Sequence, residues 1–386
     1  MTPPARTQAA IELLDQIVAA AREGGAAADT LVSRYFAKRR YAGSKDRRAV
    51  RDLVYAAVRA CGEAPVSGRA ALLRLAANDD ALAVTFDGSA HGPAPIDAGE
   101  PVASGGIAPS WLVERLASSG VDGEHELEAL LARAPLDVRI NSLAVDAPEI
   151  GGDLVPGLPA ARRLPAGTSV AQFGGALEVQ DAGSQLVTLA AHARPGQQLV
   201  DLCAGAGGKT LALAAQMANE GHILACDTDR GRLQRLDPRA AQAGVTIAET
   251  RLLDPGKEAD ALVDWRGRAD TVLIDAPCSG TGTWRRNPEA RWRLTPDRLA
   301  RLVALQARLL DIGADLVRPG GALVFVVCSL LDEEGAAQAT AFMARRPGWT
   351  VEPLDLPAGS AHGAGWRLTP GHDATDGFFV ARFQAP

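Results

Sequence analysis

Asp201-Leu202-Cys203-Ala204-Gly205-Ala206-Gly207-Gly208-Lys209-Thr210 joins an apolar run, 198–202, to a helical pattern that begins at Lys209. Glycines let a backbone turn sharply and come close to a ligand. A helix start adds free amide donors at its positive end. The stretch is not a phosphate-binding loop, because G-x-x-x-x-G-K-[ST] requires glycine at the position held by Cys203. Nor is it a dinucleotide fingerprint, because Thr210 stands where the last glycine of G-x-G-x-x-G belongs.

Beyond this turn, short apolar runs alternate with helical stretches. Strands are expected at 198–202, 223–226, 246–248, 271–274 and 322–327, and helices at 209–217, 230–243, 296–317 and 332–346. Such alternation implies a mostly parallel sheet covered on both faces, with right-handed crossovers. Ligands bind such sheets beyond the carboxyl ends of the strands. Asp201, Asp227, Asp275, Cys278 and Cys328 all fall at or just past strand ends. A third design therefore fits the turn: the methyltransferase form of the doubly wound sheet, where the turn cradles an amino-acid moiety. That form wants an acid after the second strand for ribose hydroxyls, met by Asp227, and a polar residue after the third, met by Asp254. Either could instead be a helix N-cap.

Upstream, residues 7 to about 80 read as helices, with Ile11, Leu14, Ile17 and Val18, then Val50, Leu53, Val54 and Val58, at helical spacing. A Gly/Pro/Ser/Asp-rich break covers 85–109, helices resume at 111–116 and 124–132, and 136–141 alternates as a strand. The chain of 386 residues is 47% hydrophobic, enough for a sizeable core. Its five cysteines form no C-x-x-C pair, which argues against a zinc site and against a disulfide framework. No secretory leader or membrane span is evident, so a cytoplasmic monomer without metal is expected. The net charge of −6 argues against indiscriminate nucleic-acid binding, but two runs are locally basic. Positions 34–51 hold eight Lys/Arg against one acid, and 284–301 hold six Arg against two. Either run is a solvated helix face or a phosphate grip.

Further motifs complete the pattern: Val179-Gln180-Asp181-Ala182-Gly183-Ser184-Gln185, then Asp275-Ala276-Pro277-Cys278-Ser279-Gly280-Thr281-Gly282, then Arg285-Arg286-Asn287-Pro288-Glu289-Ala290-Arg291-Trp292. Val327-Cys328-Ser329-Leu330 and Asp376-Gly377-Phe378-Phe379-Val380-Ala381 follow in order, so the set covers about 200 residues. In these motifs the chain resembles the RNA cytosine-5 methyltransferases of the NOL/NOP/Sun type. Pro135–Leu143 looks like a short leading segment of that family, and the helical front looks like the NusB-like domain of its bacterial small-subunit rRNA branch. The resemblance implies an α/β fold: a doubly wound, mostly parallel Rossmann-like sheet at 176–386, preceded by an all-α NusB-like domain at 1–130 and a small α/β linking subdomain at 131–175.

It also implies S-adenosylmethionine as cofactor, held by Cys203, Ala204, Gly205, Ala206, Gly207, Gly208, Lys209, Asp227, Arg232, Asp254 and Asp275. Carbon 5 of cytosine is a poor nucleophile until a thiolate adds at carbon 6. By resemblance Cys328 attacks, Asp275 acts at N3, Cys278 assists elimination and Lys209 reaches toward the site. DNA cytosine methyltransferases use the Pro-Cys cysteine instead, which would make Cys278 the nucleophile. Cys203 and Cys226 read as inert core thiols. The reacting base must be unpaired or flipped out. Arg285, Arg286, Arg291 and Arg293, with Trp284 and Trp292, are expected to hold phosphates and stack on bases, unless the tryptophans are core. Arg39, Arg40, Arg47 and Arg48 are expected to hold a second RNA segment. The expected partner is 16S ribosomal RNA, with transfer RNA second. The family turn usually reads C-A-A-P-G-G-K. Its change to C-A-G-A-G-G-K leaves open an RNA-binding assembly factor with a degenerate domain.

Overall fold

Period-two burial along the parallel strands builds the larger core from both sides. Leu199, Ile223, Ala225, Leu273, Val324 and Val326 feed one face; Val200, Leu224, Val272, Ile274, Leu323 and Phe325 feed the other. Strands buried on both faces read as continuous apolar runs, which is why the sequence marks them so clearly. The structure, a computed structural model, describes residues 1–144 and 149–386; positions 145–148 of the expected linking subdomain lie outside the described residues. The chain divides into two compact units, Met1–Ala132 with Thr283–Thr295, and Arg133–Gly282 with Pro296–Pro386.

The first unit is helical and fits a NusB-like domain: α1 (Pro3–Glu23), α2 (Ala28–Ala37), α3 (Ser44–Ala60), α4 (Gly68–Ala76), α5 (Asp80–Ala83), α6 (Ser110–Ser118) and α7 (Glu124–Leu131). Helix α1 starts where the Thr2 hydroxyl accepts the Ala5 amide and stops at Gly24, whose φ of 74° is left-handed. It buries Ile11, Leu14, Ile17 and Val18, and α3 buries Val50, Val54 and Val58. Each such side chain contributes about 1.5–3 kcal/mol by leaving water. Trp292 completes this core although it lies far along the chain, because the 3₁₀ turn Pro288–Arg293 packs on α1 and α3.

The second unit holds two sheets. The smaller is antiparallel, in the order β2-β3-β1-β4, from β1 (Leu136–Ile140), β2 (Asp153–Val155), β3 (Leu158–Leu164) and β4 (Leu177–Val179). The larger comprises β5 (Gln198–Asp201), β6 (His222–Asp227), β7 (Ala248–Leu252), β8 (Ala269–Asp275), β9 (Val317–Val327), β10 (Thr350–Val351), β11 (Ser360–His362), β12 (Gly365–Leu368) and β13 (Phe378–Gln384). Its order is β11-β12-β13-β9-β8-β5-β6-β7, with β10 on β13. Strands β5 to β9 run parallel, and β10 to β13 pair antiparallel. The helices are α8 (Ala182–Leu189), α9 (Gly208–Gln216), α10 (Arg230–Leu233), α11 (Leu236–Gln242), α12 (Glu258–Ala261), α13 (Pro296–Leu316), α14 (Ala336–Arg345) and α15 (Pro370–Asp373).

Several elements differ from the sequence reading, among them the helix expected at 230–243, which is split into α10 and α11, and the added strands β10 to β13. Residues from Arg133 onward group with the large sheet, and the stretch read as a linking subdomain carries most of the smaller sheet within that unit. Its single expected strand is one of four, the others being short or interrupted by Arg162 and Arg163, which mask the alternation. The third parallel strand is Ala248–Leu252, shifted toward Asp254.

Candidate active site

The sheet order reverses at β5, which pairs β6 on one side and β8 on the other. A crevice opens at the carboxyl ends of strands at such a point. The glycine turn starts there. Gly205 (φ 57°) and Gly207 (φ 88°) are left-handed, a conformation that costs other L-residues about 1–2 kcal/mol. The Gly205 amide donates to Asp227 Oδ2 at 2.7 Å, and the Asp229 amide donates to Asp227 Oδ1 at 2.7 Å. Asp227 thus ties the turn to the end of β6, and its carboxylate retains lone pairs for further donors. Arg232 lies directly over Gly205, where a Cβ would strike its guanidinium. Asp254 is exposed just past β7. Arg239 anchors the turn from α11 by donating to the Ala206 carbonyl and to Glu178. Nothing in its sequence context marks Arg239.

Asp201 sits beneath the turn, fully buried, with Oδ2 accepting the Thr210 hydroxyl at 2.7 Å. Burial raises its carboxyl from 3.8 to about 7, with Thr210 opposing and Asp275 adding to the rise. A folded-state value above the unfolded one makes a stabilising contribution below about pH 4. That contribution is lost as pH rises toward 7. Asp201→Asn removes this titration while keeping an acceptor for Thr210. The loss of urea stability between pH 4 and pH 8 should shrink by on the order of 1–3 kcal/mol; an unchanged loss would show that Asp201 ionises freely.

Two loops converge beside the turn. Cys328 directly follows β9 and Cys278 follows β8, and their Sγ atoms lie 3.3 Å apart. Backbone bonds hold the loops together: Gly282 donates to the Cys328 carbonyl at 3.1 Å, and Gly377 donates to the Gly282 carbonyl at 2.8 Å. A Cβ on Gly282 would overlap the Gly377 carbonyl, so this close approach requires glycine. Ser329 Oγ lies 3.1 Å from both Ser279 Oγ and Thr281 Oγ1.

Lys209, the second residue of α9, reaches Asp275 Oδ2 at 2.7 Å and is almost wholly buried. Burial pulls its pKa down, but Asp275, Cys328 and Asp201 together push it above its ordinary value, so it stays cationic. Its ammonium also lies 5.6 Å from the Phe378 ring centroid. The Cys278 thiol is pushed well up, first by its hydrogen bond with Cys328, then by burial and by the charges of Cys328 and Glu334. Burial also raises Cys203 and Cys226 and lifts Cys61 to about 11, which keeps these three thiols neutral and unreactive.

Glu334 was not anticipated as a functional residue. It is fully buried: Oε1 accepts the Ser279 amide at 2.8 Å and Gln306 Nε2 at 3.0 Å, and Oε2 accepts the Ser279 hydroxyl. Gln306 also donates to the Pro277 carbonyl at 2.9 Å. The acidic pair Glu333-Glu334, six residues past Cys328, was the available signal.

The structure therefore brings Lys209, Asp275, Cys278 and Cys328 together, and Cys203–Gly208, Asp227 and Arg232 around the turn. The expected RNA contacts divide. Arg40, Arg47 and Arg48 are exposed, while Arg39 pairs with Glu12 at 3.0 Å and stacks 3.6 Å over Tyr35. Arg286 is half-buried. Arg285 is buried, as are Trp284, Trp292 and Arg291, the last with no exposed surface. Arg291 Nη2 donates to the carbonyls of Val58 at 2.6 Å and Cys61 at 2.8 Å, and Trp292 Nε1 donates to Cys61 at 3.3 Å. Arg293 donates to the carbonyls of Gly25 at 2.8 Å and Ala26 at 2.6 Å. Arg291 and Arg293 thus direct guanidinium donors to backbone carbonyls of the helical unit, and Trp292 takes the core position that was the alternative to stacking on a base.

Among the described residues, no helix is long and apolar enough to cross a membrane. A family model for 16S rRNA methyltransferase RsmB/F matches residues 188–384. A probable ribosomal RNA small subunit methyltransferase B from Synechocystis is 35% identical over 302 residues, 72% of this chain and 66% of the relative, just under two thirds of its length. The crystal structure of PH0851 superposes with a TM-score of 0.77 at 24% identity over 99% of both chains, a likeness of fold. A methyltransferase homologue from Pyrococcus horikoshii gives a TM-score of 0.60 at 25% identity, over 72% of this chain and 99% of that one. The matched residues contain the glycine turn, the Lys209–Asp275 pair and both cysteines, and with them the chain belongs to the 16S rRNA methyltransferase RsmB/F family.

Proposed function

We propose that this chain methylates carbon 5 of a cytosine in 16S ribosomal RNA, through a covalent bond between Cys328 and carbon 6 of the base, as a monomer in the cytoplasm. The observation that carries the reading is the 3.3 Å approach of Cys278 and Cys328 beside the Lys209–Asp275 pair, at the carboxyl ends of β8 and β9.

S-adenosylmethionine is the group these residues fit. The left-handed glycines Gly205 and Gly207 bring the turn backbone close beneath Arg232 and Leu236, and Asp227 combines fixed geometry with spare lone pairs for ribose hydroxyls. Asp254 and Arg232 would complete the pocket, at the adenine and over the turn. When bound, the cofactor supplies an electrophilic methyl group.

The remaining work falls to the side chains. Cys328, as thiolate, forms a bond to carbon 6, and the ring electrons shift to make carbon 5 nucleophilic. Asp275, hydrogen-bonded to Lys209, faces N3 and supports the proton or hydrogen bond that stabilises the electron-rich ring. After methyl transfer the carbon 5 proton passes to Cys278 as Cys278 hands its own proton to the departing Cys328 sulfur 3.3 Å away; the carbon 5–hydrogen electrons re-form the carbon 5–carbon 6 double bond and the carbon 6–sulfur bond breaks. Cys278, kept as a neutral thiol, is the proton-bearing group beside that departure. Arg40, Arg47 and Arg48 offer exposed charge to phosphates, a binding term that weakens with added salt.

The test uses 16S rRNA lacking the modification and labelled donor. The expected result is label in ribosomal RNA, with one cytosine newly resistant to bisulfite. Label confined to transfer RNA would overturn the substrate, and label without a resistant cytosine would overturn the chemistry.

A further inference from the structure

Two thiols 3.3 Å apart pose a problem of selection: either could attack the base. The charged groups around them differ. Lys209 on α9 and Asp275 at the end of β8 form one pair, and Lys209 interacts electrostatically with Cys328. The pKa of the Cys278 thiol is raised first by its hydrogen bond with Cys328 and by burial, and Glu334 adds to that rise. The Glu334 carboxylate receives the amide and hydroxyl of Ser279, the residue after Cys278, while Gln306 bridges Glu334 and the carbonyl of Pro277, the residue before it. A single buried acid therefore grips the Pro-Cys loop, and it does so from the segment that also carries Cys328.

We propose that Glu334 is a positioning residue that selects the nucleophile: through Ser279 and Gln306 it fixes the Pro277–Ser279 backbone and places a carboxylate against the Pro-Cys loop, so that Cys328 and not Cys278 attacks the base. The role in catalysis rests on the reaction proposed above. The claim about the two thiols is independent of it, because their reactivity can be read without RNA or cofactor.

Glu334→Gln keeps the size and hydrogen-bonding capacity of the side chain and removes its charge. Glu334→Asp keeps the charge. Iodoacetamide labelling of the full chain, followed at each cysteine by peptide mass spectrometry from pH 7 to 10, reads the effect. In Glu334→Gln, Cys278 should label about tenfold faster at pH 8, while Cys328 changes less than twofold. Glu334→Asp should restore slow labelling of Cys278. An unchanged pH profile for Cys278 in folded Glu334→Gln overturns the proposal. If that variant does not fold, fast Cys278 labelling in Glu334→Asp, with its charge intact, overturns it instead, and slow labelling supports it. A second arm uses RNA: Cys328→Ser with Glu334→Gln should form a Cys278–RNA adduct that Cys328→Ser alone does not. If wild type transfers no methyl group, the reaction fails; if only the labelling arm fails, Glu334 does.

Discussion

Cys328→Ser should lower methyl transfer to RNA by at least about 1,000-fold, and Cys278→Ser should accumulate a covalent protein–RNA adduct that survives denaturing gels. A serine hydroxyl ionises far less readily than a thiol, so the carbon 6 bond is not made at a useful rate. Cys278 lies within 3.3 Å of Cys328, yet its hydrogen bond to that residue, its burial and the Glu334 charge all favour its protonated form. It is therefore a poor substitute nucleophile and a suitable proton carrier when the adduct breaks down. On the proposed mechanism, removing it should leave attack intact and stall release. The opposite pattern, an adduct with Cys328→Ser and none with Cys278→Ser, would assign attack to Cys278, as in the DNA enzymes. Loss of both adduct and transfer in Cys278→Ser would place Cys278 in the attack step itself.

The candidate site was legible in the sequence because it sits where patterns are local. The turn, Asp227, Asp275 and both cysteines lie at or just past strand ends, and β6, β8 and β9 each carry a continuous apolar run, whereas β7 (Ala-Glu-Thr-Arg-Leu) does not. The antiparallel additions were harder to see. Strands β10 to β12 are short and partly exposed, so they carry little apolar signal. Glu334 and Arg239 act through contacts 55 and 33 residues away in the chain, and no periodicity marks such partners. The partners of Arg291 and Arg293 in the basic run after Cys278 were hidden for a related reason. Charge density in a sequence does not distinguish a guanidinium facing water from one facing carbonyl oxygens. Its partners are helix ends more than 200 residues earlier.

Arg291→Ala should destabilise the helical unit by about 3–5 kcal/mol, the second large effect. Helix α3 ends at Ala60 without a glycine stop, its C-cap Cys61 being extended. The carbonyls of the last turn then need donors from elsewhere. Arg291 supplies them, with Nη2 on Val58, Cys61 and, at 3.3 Å, Arg59, and Nη1 on Pro288. Burial lowers its own pKa to about 10, outweighing the nearby charges, so the guanidinium is still cationic at neutral pH and depends on these carbonyls for solvation. Alanine removes the donors and leaves a void, whereas Arg291→Lys keeps a charge but cannot reach several carbonyls with one planar fork. Both variants should lose hydrogen-exchange protection at the end of α3, alanine more than lysine. Their RNA affinity, measured where the unit is folded, should keep the wild-type salt dependence. A lower salt slope with unchanged protection would mean that Arg291 contacts phosphate. The same logic makes Thr283–Thr295 part of the helical unit in more than connectivity: a segment that begins five residues after Cys278 supplies the α3 cap, so a chain cut between the front helices and the rest would leave the helical unit without it.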